Sequence, residues 1–179
     1  GQIRIIGNAI DFLRSAGLAI PADSTSKVGS LRATLPANRS ASDVFLGART
    51  STPGGGGTYG LFYPALALDQ SAVSSAWIFG LRQDSTMRSN LAVINRGDAG
   101  DSITLRITYY GNGGARLGDP VEVPLASGEW KQFGRPLEAL GAATGYAKIE
   151  KISGNSRFVA YGVLNDAFTS DGSYIGMSF

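Results

Sequence analysis

Neither cysteine nor histidine occurs among the 179 residues of this chain. Disulfide frameworks, cysteine-ligated zinc and thiol nucleophiles are excluded, and so are Ser-His-Asp and Cys-His catalytic arrangements. Absence of cysteine does not by itself assign a compartment. No apolar run approaches the roughly 18 residues of a membrane span. Charge is also scarce, at 17% of residues against roughly 25% in an average protein. The basic side chains, 12 Arg and 4 Lys, are scattered among 14 acids. No basic stripe exists for a phosphate backbone to follow, so no nucleic-acid partner is expected. Gly1 is preceded by no initiator Met and opens no signal peptide, which reads as a processed or excised piece of something longer.

What the chain does have is 25 glycines and a 43% hydrophobic content, a composition that suits many short strands joined by tight turns. The clearest local pattern is Arg88–Gly111, RSNLAVINRGDAGDSITLRITYYG. Leu91/Val93 and Ile103/Leu105/Ile107/Tyr109 alternate with period two, so each run predicts a half-buried strand. The Asn/Gly/Asp cluster between them reads as a hairpin connection.

Elsewhere the same reading predicts a short strand at 3–6, a helix at about 10–16 stopped by Gly17, and strands at 31–35 and 43–50. The stretch T-P-G-G-G-G-T is a glycine-rich hairpin loop; it lacks the Lys-Ser/Thr of a phosphate-cradling loop. Residues 59–68 read as an edge strand interrupted by Pro64, and 69–75 as a boundary. Beyond it, WIFGL (77–81) reads as a buried strand. Further strands are expected at 121–125, from 130 to 133, at 146–152, at 157–164 and from 174 to the end. P-L-E-A-L-G (136–141) reads as a second helical turn. About a dozen strands with two short helical turns predict an all-β antiparallel sandwich.

A repeat of pattern runs through the chain. The opening I-R-I-I-G-N-A-I-D-F-L-R-S-A-G matches residues 129–141, and 29–35 matches 145–151; likewise 43–50 pairs with 157–164, and 52–62 with 169–177. On this reading residues 72–179 are a complete sandwich repeat. Residues 1–71 are only the second half of one, requiring completion by an upstream segment or neighbouring repeat of a parent protein, by the 72–179 unit itself or by a strand from a copy of the chain.

L-A-V-I-N-R-G-D-A-G-D-S-I-T-L-R-I-T-Y-Y resembles the strand–turn–strand signature of immunoglobulin-like adhesion modules in bacterial surface proteins. The stretches R-T-S-T-P-G-G-G-G-T-Y-G-L-F-Y-P-A-L, G-L-R-Q-D-S-T-M-R-S-N-L-A-V-I-N and W-K-Q-F resemble tandem repeats of large secreted bacterial proteins. The resemblance covers residues 30–179 well and the first thirty weakly. It implies an extracellular or cell-surface immunoglobulin-like module without catalytic residues, and the internal repeat makes it one and a half repeats.

Candidate sites are weak by their spacing. Asn95, Asp98 and Asp101 offer oxygen ligands from one loop but lack the rhythm of a calcium loop, and bonding to their own turn explains them better. No metal or cofactor is therefore expected. Arg96-Gly97-Asp98 is an adhesion-type tripeptide and Asn38-Arg39-Ser40 a glycosylation sequon; both are short enough to arise by chance. Glu122 and Glu129, with the two loop aspartates, are the carboxylates nearest to a glycosidase pair, and turn or outward strand positions argue that they are solvated charges.

Aromatic side chains are better contact candidates: Tyr110, Tyr59, Phe62 and Tyr63 for a partner or a cell-surface polysaccharide. Because Tyr109 and Tyr110 are adjacent, one must point outward, and Tyr110 is assigned that side; Trp130, following a turn, is assigned to the core. The expectation is a non-catalytic structural or adhesive protein that associates through strand edges, with a carbohydrate-binding module as the alternative.

Overall fold

The computed structural model describes residues 2–23, 28–54 and 57–179. About half of them are in antiparallel sheets. The C-terminal part carries eight strands: β3 (Ser75–Arg82), β4 (Met87–Asn95), β5 (Ile103–Tyr110), β6 (Arg116–Leu125), β7 (Trp130–Gly134), β8 (Thr144–Ser153), β9 (Phe158–Asp166) and β10 (Gly172–Gly176). They form two four-stranded sheets, ordered β3-β8-β5-β6 and β10-β9-β4-β7. This is an all-β antiparallel sandwich. Its second strand pairs with the fifth (β4 with β7) and its third with the sixth (β5 with β8), as in immunoglobulin domains. The flanks differ, because the first strand, β3, lies beside β8 and the seventh, β9, lies beside β4.

Leu81, Leu91, Val93, Leu105, Ile107, Ile149 and Phe158 fill the space between the sheets and are fully buried. These apolar positions alternate along their strands, so each strand contributes one face to a core about 10 Å thick. Gly162 permits close approach there, since a Cβ on it would lie 2.9 Å from Ile78 Cγ2. The end of the chain ties the sheets together: beyond β10, Ser178 exchanges two backbone hydrogen bonds with Trp77 of β3, at 2.8 and 2.9 Å.

Arg88–Gly111 is not a hairpin. β4 and β5 belong to different sheets, and residues 96–102 cross from one to the other. Alternation states which side chains share a face, and two strands that face each other across a core show the same alternation as two that lie side by side. Asn95 holds the crossing. Its Nδ2 donates to the carbonyls of Asp101 (3.1 Å) and Leu125 (3.2 Å), and its Oδ1 accepts from the Gly97 amide at 2.8 Å. Gly97 is required beside it, because a Cβ would stand 2.4 Å from Ser156 Oγ and 2.6 Å from Asp101 Cβ.

The N-terminal part departs further from its sequence pattern. Helix α1 (Ala9–Ser15) forms where expected, with Asn8 capping the Asp11 amide at 3.1 Å and Gly17 in the left-handed region at φ 93°. None of its residues is buried. The stretches 3–6 and 31–35 join no ladder among the described residues; Ile3, by 91%, and Leu31, by 67%, stand exposed, while Leu35 is half-buried. The strand expected over 43–50 begins only at Gly47, because Ser40 and Asp43 form a reciprocal capping box around a 3-10 turn at Ala41–Asp43. This is the second short helix. At 136–141 the chain makes successive turns instead, whose bonds span three residues, and these bury Leu137.

β1 (Gly47–Gly54) and β2 (Gly57–Pro64) form a two-stranded hairpin, and Gly55 and Gly56 of its glycine loop lie outside the described residues. The stretch P-A-D-S-T-S-K (21–27) reads as a loop from its composition, and its residues 24–27 also lie outside them. Of the four matched pairs in the repeat, strands occur on both sides only in the last two, and in the third only from Gly47.

Candidate functional site

Two sheet faces point away from the sandwich core, and both are aromatic. On the β3-β8-β5-β6 sheet, Tyr110 and Tyr146 are register partners, as are Trp77 and Lys148. A bulge completes the patch: Phe79 and Gly80 together stand opposite Tyr146, and Gly80 at φ 77° absorbs the extra residue. Ile78 and Leu81 can then both point inward while Phe79 points out. Tyr110 stacks on Tyr146 at 5.3 Å, Phe79 lies 5.4 Å from Tyr146, and Trp77 lies 6.0 Å from Phe79 and 6.2 Å from Tyr110. Lys148 Nζ sits 5.4 Å over the Trp77 ring.

Tyr109 is buried and Tyr110 half-exposed, the two sides that adjacency requires. Burial alone pushes the Tyr109 phenol well above its ordinary value. The strand at 77–81 is half-buried rather than buried: Ile78 and Leu81 are inside, Trp77 is half-buried and Phe79 is exposed. Phe79 and Tyr146 were missed as members of this face. The spacing of Trp77 and Phe79, two residues apart on one strand, is the signal that could have placed them on one face.

The outer face of the β10-β9-β4-β7 sheet is covered. Ala92, Val159, Tyr161 and Val163 form a second apolar cluster, and the preceding hairpin closes it with Leu61 and Tyr63, followed by Leu66. Tyr63 packs edge-on against Tyr161 at 5.8 Å and Tyr174 at 6.3 Å, while Tyr161 stacks on Tyr174 at 5.5 Å. Burial raises the phenol pKa of Tyr161, against a bond from Trp130 Nε1 to its hydroxyl at 2.9 Å. Burial likewise raises Tyr63 and Tyr174. Trp130 belongs to this outer cluster and not to the core between the sheets.

The four contact candidates therefore do not form one site. Tyr110 lies on the open aromatic face, and Tyr63 is wedged under the hairpin. Tyr59 lines a cleft of about 300 Å³ between hairpin and sheet. Phe62, on the far side of the hairpin, stacks on Phe45 at 6.2 Å.

The remaining candidates are occupied by structural duties. Arg96 is not displayed as part of an adhesion tripeptide; its Nη1 donates to the carbonyls of Leu66 (2.6 Å) and Ala67 (3.2 Å) and to Ser71 Oγ (3.1 Å). Arg157 donates to the Ser71 carbonyl at 3.1 Å, and Ala72 exchanges two backbone bonds with Phe158. The 69–75 boundary is thus tied down at several points.

Asn95 spends its amide on backbone groups, Asp101 accepts from the Asp98 amide at 3.2 Å, and Asp98 pairs with Arg32 at 2.8 Å. Among the described residues no group of three or more carboxylates could hold a metal. Glu122 pairs with Arg106 at 2.8 Å. The Ala126 amide holds the Glu129 carboxyl below the usual carboxylate range, with Lys131 adding to it.

Fold and surface together define an antiparallel β-sandwich with one open and one covered aromatic face. The chain matches no protein family, no curated protein and no solved structure.

Proposed function

We infer that this chain is a non-catalytic structural or adhesive module of the extracellular or cell-surface environment, which joins copies of itself or neighbouring repeats through strand edges. The observation that carries this reading is the contrast within the N-terminal part. Residues 57–66 already act as a cover for the sandwich that follows, while residues 2–6 and 28–35 join no ladder among the described residues and leave Ile3, Ile5, Val28 and Leu31 exposed. Segments with such exposed apolar side chains can extend along the edge of another sheet, where main-chain hydrogen bonds and alternate side chains are both satisfied. Edge strands such as β6 and β7 end their sheets and supply the receiving side.

Light scattering across a wide concentration range tests it. Assemblies larger than one chain are expected, and they should shrink when Ile5→Asp and Leu31→Asp are combined. A monodisperse monomer at all concentrations would sink the reading.

A carbohydrate-binding module is the second reading, supported by the open face of Trp77, Phe79, Tyr110 and Tyr146, rings suited to stacking on sugar faces. Retention on an immobilised polysaccharide that disappears in Tyr110→Ala would favour it.

A further inference from the structure

We propose that the cleft between the β1–β2 hairpin and the outer face of the β10-β9-β4-β7 sheet binds one glycosyl unit of an uncharged glycan. The sheet face changes character along its length. Val159, Tyr161 and Val163 are sealed beneath Leu61 and Tyr63, but the next outward positions carry amides, namely Asn90 on β4, Gln132 on β7 and Asn165 on β9. Asn90 lies in register with Gly134, and Asn165 with Gly172. These glycines leave space beside the amides that any larger residue would fill. Across the gap the hairpin presents Thr52 and Tyr59. The cleft, open to solvent and about 300 Å³ in volume, is at the small end of ligand pockets and fits a single ring whose chain continues outside.

Two features select the ligand class. No charged side chain lines the cleft, so a phosphate or carboxylate would enter without a counter-charge. Amides, hydroxyls and tyrosine rings instead match a neutral ligand rich in hydroxyls, each both donor and acceptor, with apolar C–H faces between them. Second, Asn165 is 92% buried, its Nδ2 has no hydrogen-bond partner, and it lines this cleft. A buried amide donor left unpaired is costly, and native structures rarely keep one without a use. Its Nδ2 is itself sealed from solvent, so a sugar hydroxyl supplies the missing acceptor once the Asn165 amide turns toward the cleft.

The site is independent of self-association and of the open aromatic face. A monomeric protein would retain it, and Trp77 and Tyr110 are on the other sheet.

The test follows the Asn165 side-chain amide by heteronuclear NMR while the full chain is titrated with cello-, manno-, xylo- and chitohexaose. At least one sugar should shift the Asn165 amide signals. Asn165→Asp, which replaces the donor with an acceptor, should weaken that binding tenfold or more. Gln132→Ala, at an exposed position, should weaken it severalfold with an unchanged melting temperature, so loss of fold is separable from loss of contact. Trp77→Ala should leave it intact. The proposal is overturned if none of the sugars moves the Asn165 signals. It is equally overturned if sugar binding survives both cleft variants and is lost in Trp77→Ala, an outcome that assigns carbohydrate to the open face instead.

Discussion

Residues 31–35 and 103–109 carry the same alternation of apolar and polar side chains, yet Leu105 is fully buried and Leu31 stands largely in solvent. The difference lies in neighbours. Leu105 is on a strand paired on both sides, with Val123 across from it on β6 and Lys151 on β8. Leu31 is on a segment that joins no strand ladder among the described residues and meets the sandwich through polar side chains, Arg32 with Asp98 and Ser30 with the Gly128 carbonyl. Alternation makes a strand two-faced, but a ladder and an opposing sheet are needed before either face is worth burying. The hairpin lies between these extremes. It is paired within itself and uses one face, through Leu61 and Tyr63, to cover a sandwich it does not join by strand pairing.

The contrast can be broken by mutation, most severely in the core. Phe158→Ala should cost about 3–5 kcal/mol, because the ring is fully buried between the sheets. Ile5→Ala, on an unpaired segment, should change stability by less than about 0.5 kcal/mol. Denaturant unfolding of the two variants reads both numbers. Similar losses would mean that residues 2–6 are packed in solution after all.

Asn95→Ala is expected to come next, at about 2–3 kcal/mol, since it strands one buried amide and removes the donor to two carbonyls at the crossing. A loss below about 0.5 kcal/mol would show that the crossing is held by its ends alone.

Tyr63→Ala sharpens the comparison at the hairpin. It removes the ring wedged between Tyr161 and Tyr174 and should cost about 1–2 kcal/mol. Amide exchange should quicken across 57–66 while the strands between 103 and 153 keep their protection. Uniform loss of protection throughout the chain would instead make the hairpin and the sandwich one cooperative unit.

The smallest effect concerns pH. Asp84, in the turn between β3 and β4, accepts from the Thr86 hydroxyl and amide, from the Arg82 guanidinium and from the Met87 amide, and these hold its carboxyl well below the usual carboxylate range. Asp166 is lowered in the same way by the Thr169 and Phe168 amides and the Thr169 hydroxyl. A carboxyl with a folded pKa below its unfolded value of about 3.9 contributes its full stabilisation above that value and loses it as pH falls. Stability should therefore decline on acidification below about pH 4, and Asp84→Asn should make the decline shallower, with the gap to the parent chain closing at low pH. Thermal melts from pH 6 to pH 2 measure this. An unchanged slope would mean that the turn carries no pH-dependent stability.

Much of the sandwich was legible residue by residue. The strands around 91–95 and 103–109 follow from a period of two, those around 77–81, 130–133, 146–152 and 157–164 from short apolar or aromatic runs between turn signals, and the outward side of Tyr110 from its adjacency to Tyr109. The helix, expected at about 10–16 and found at Ala9–Ser15, follows from helical spacing of apolar residues and the local stop at Gly17. The candidate sites were less legible. Arg96 had no visible reason to turn inward until the carbonyls of Leu66 and Ala67 were placed beside it. Trp130 had none to leave the central core until Tyr161 offered its hydroxyl.

By itself the sequence determined the all-β class, the alternation that makes each strand two-faced, and the absence of thiol, imidazole and disulfide chemistry. These depend only on residue type and on spacing within a few positions. Tertiary structure alone decided which sheet each strand enters, that Arg88–Gly111 crosses the core instead of folding back on itself, and that one aromatic face is covered while the other stays open. Those outcomes are set by contacts between residues far apart in the chain, such as Tyr63 with Tyr161 and Asn95 with Leu125. A period of two is indifferent to which partner supplies the ladder and which surface supplies the lid.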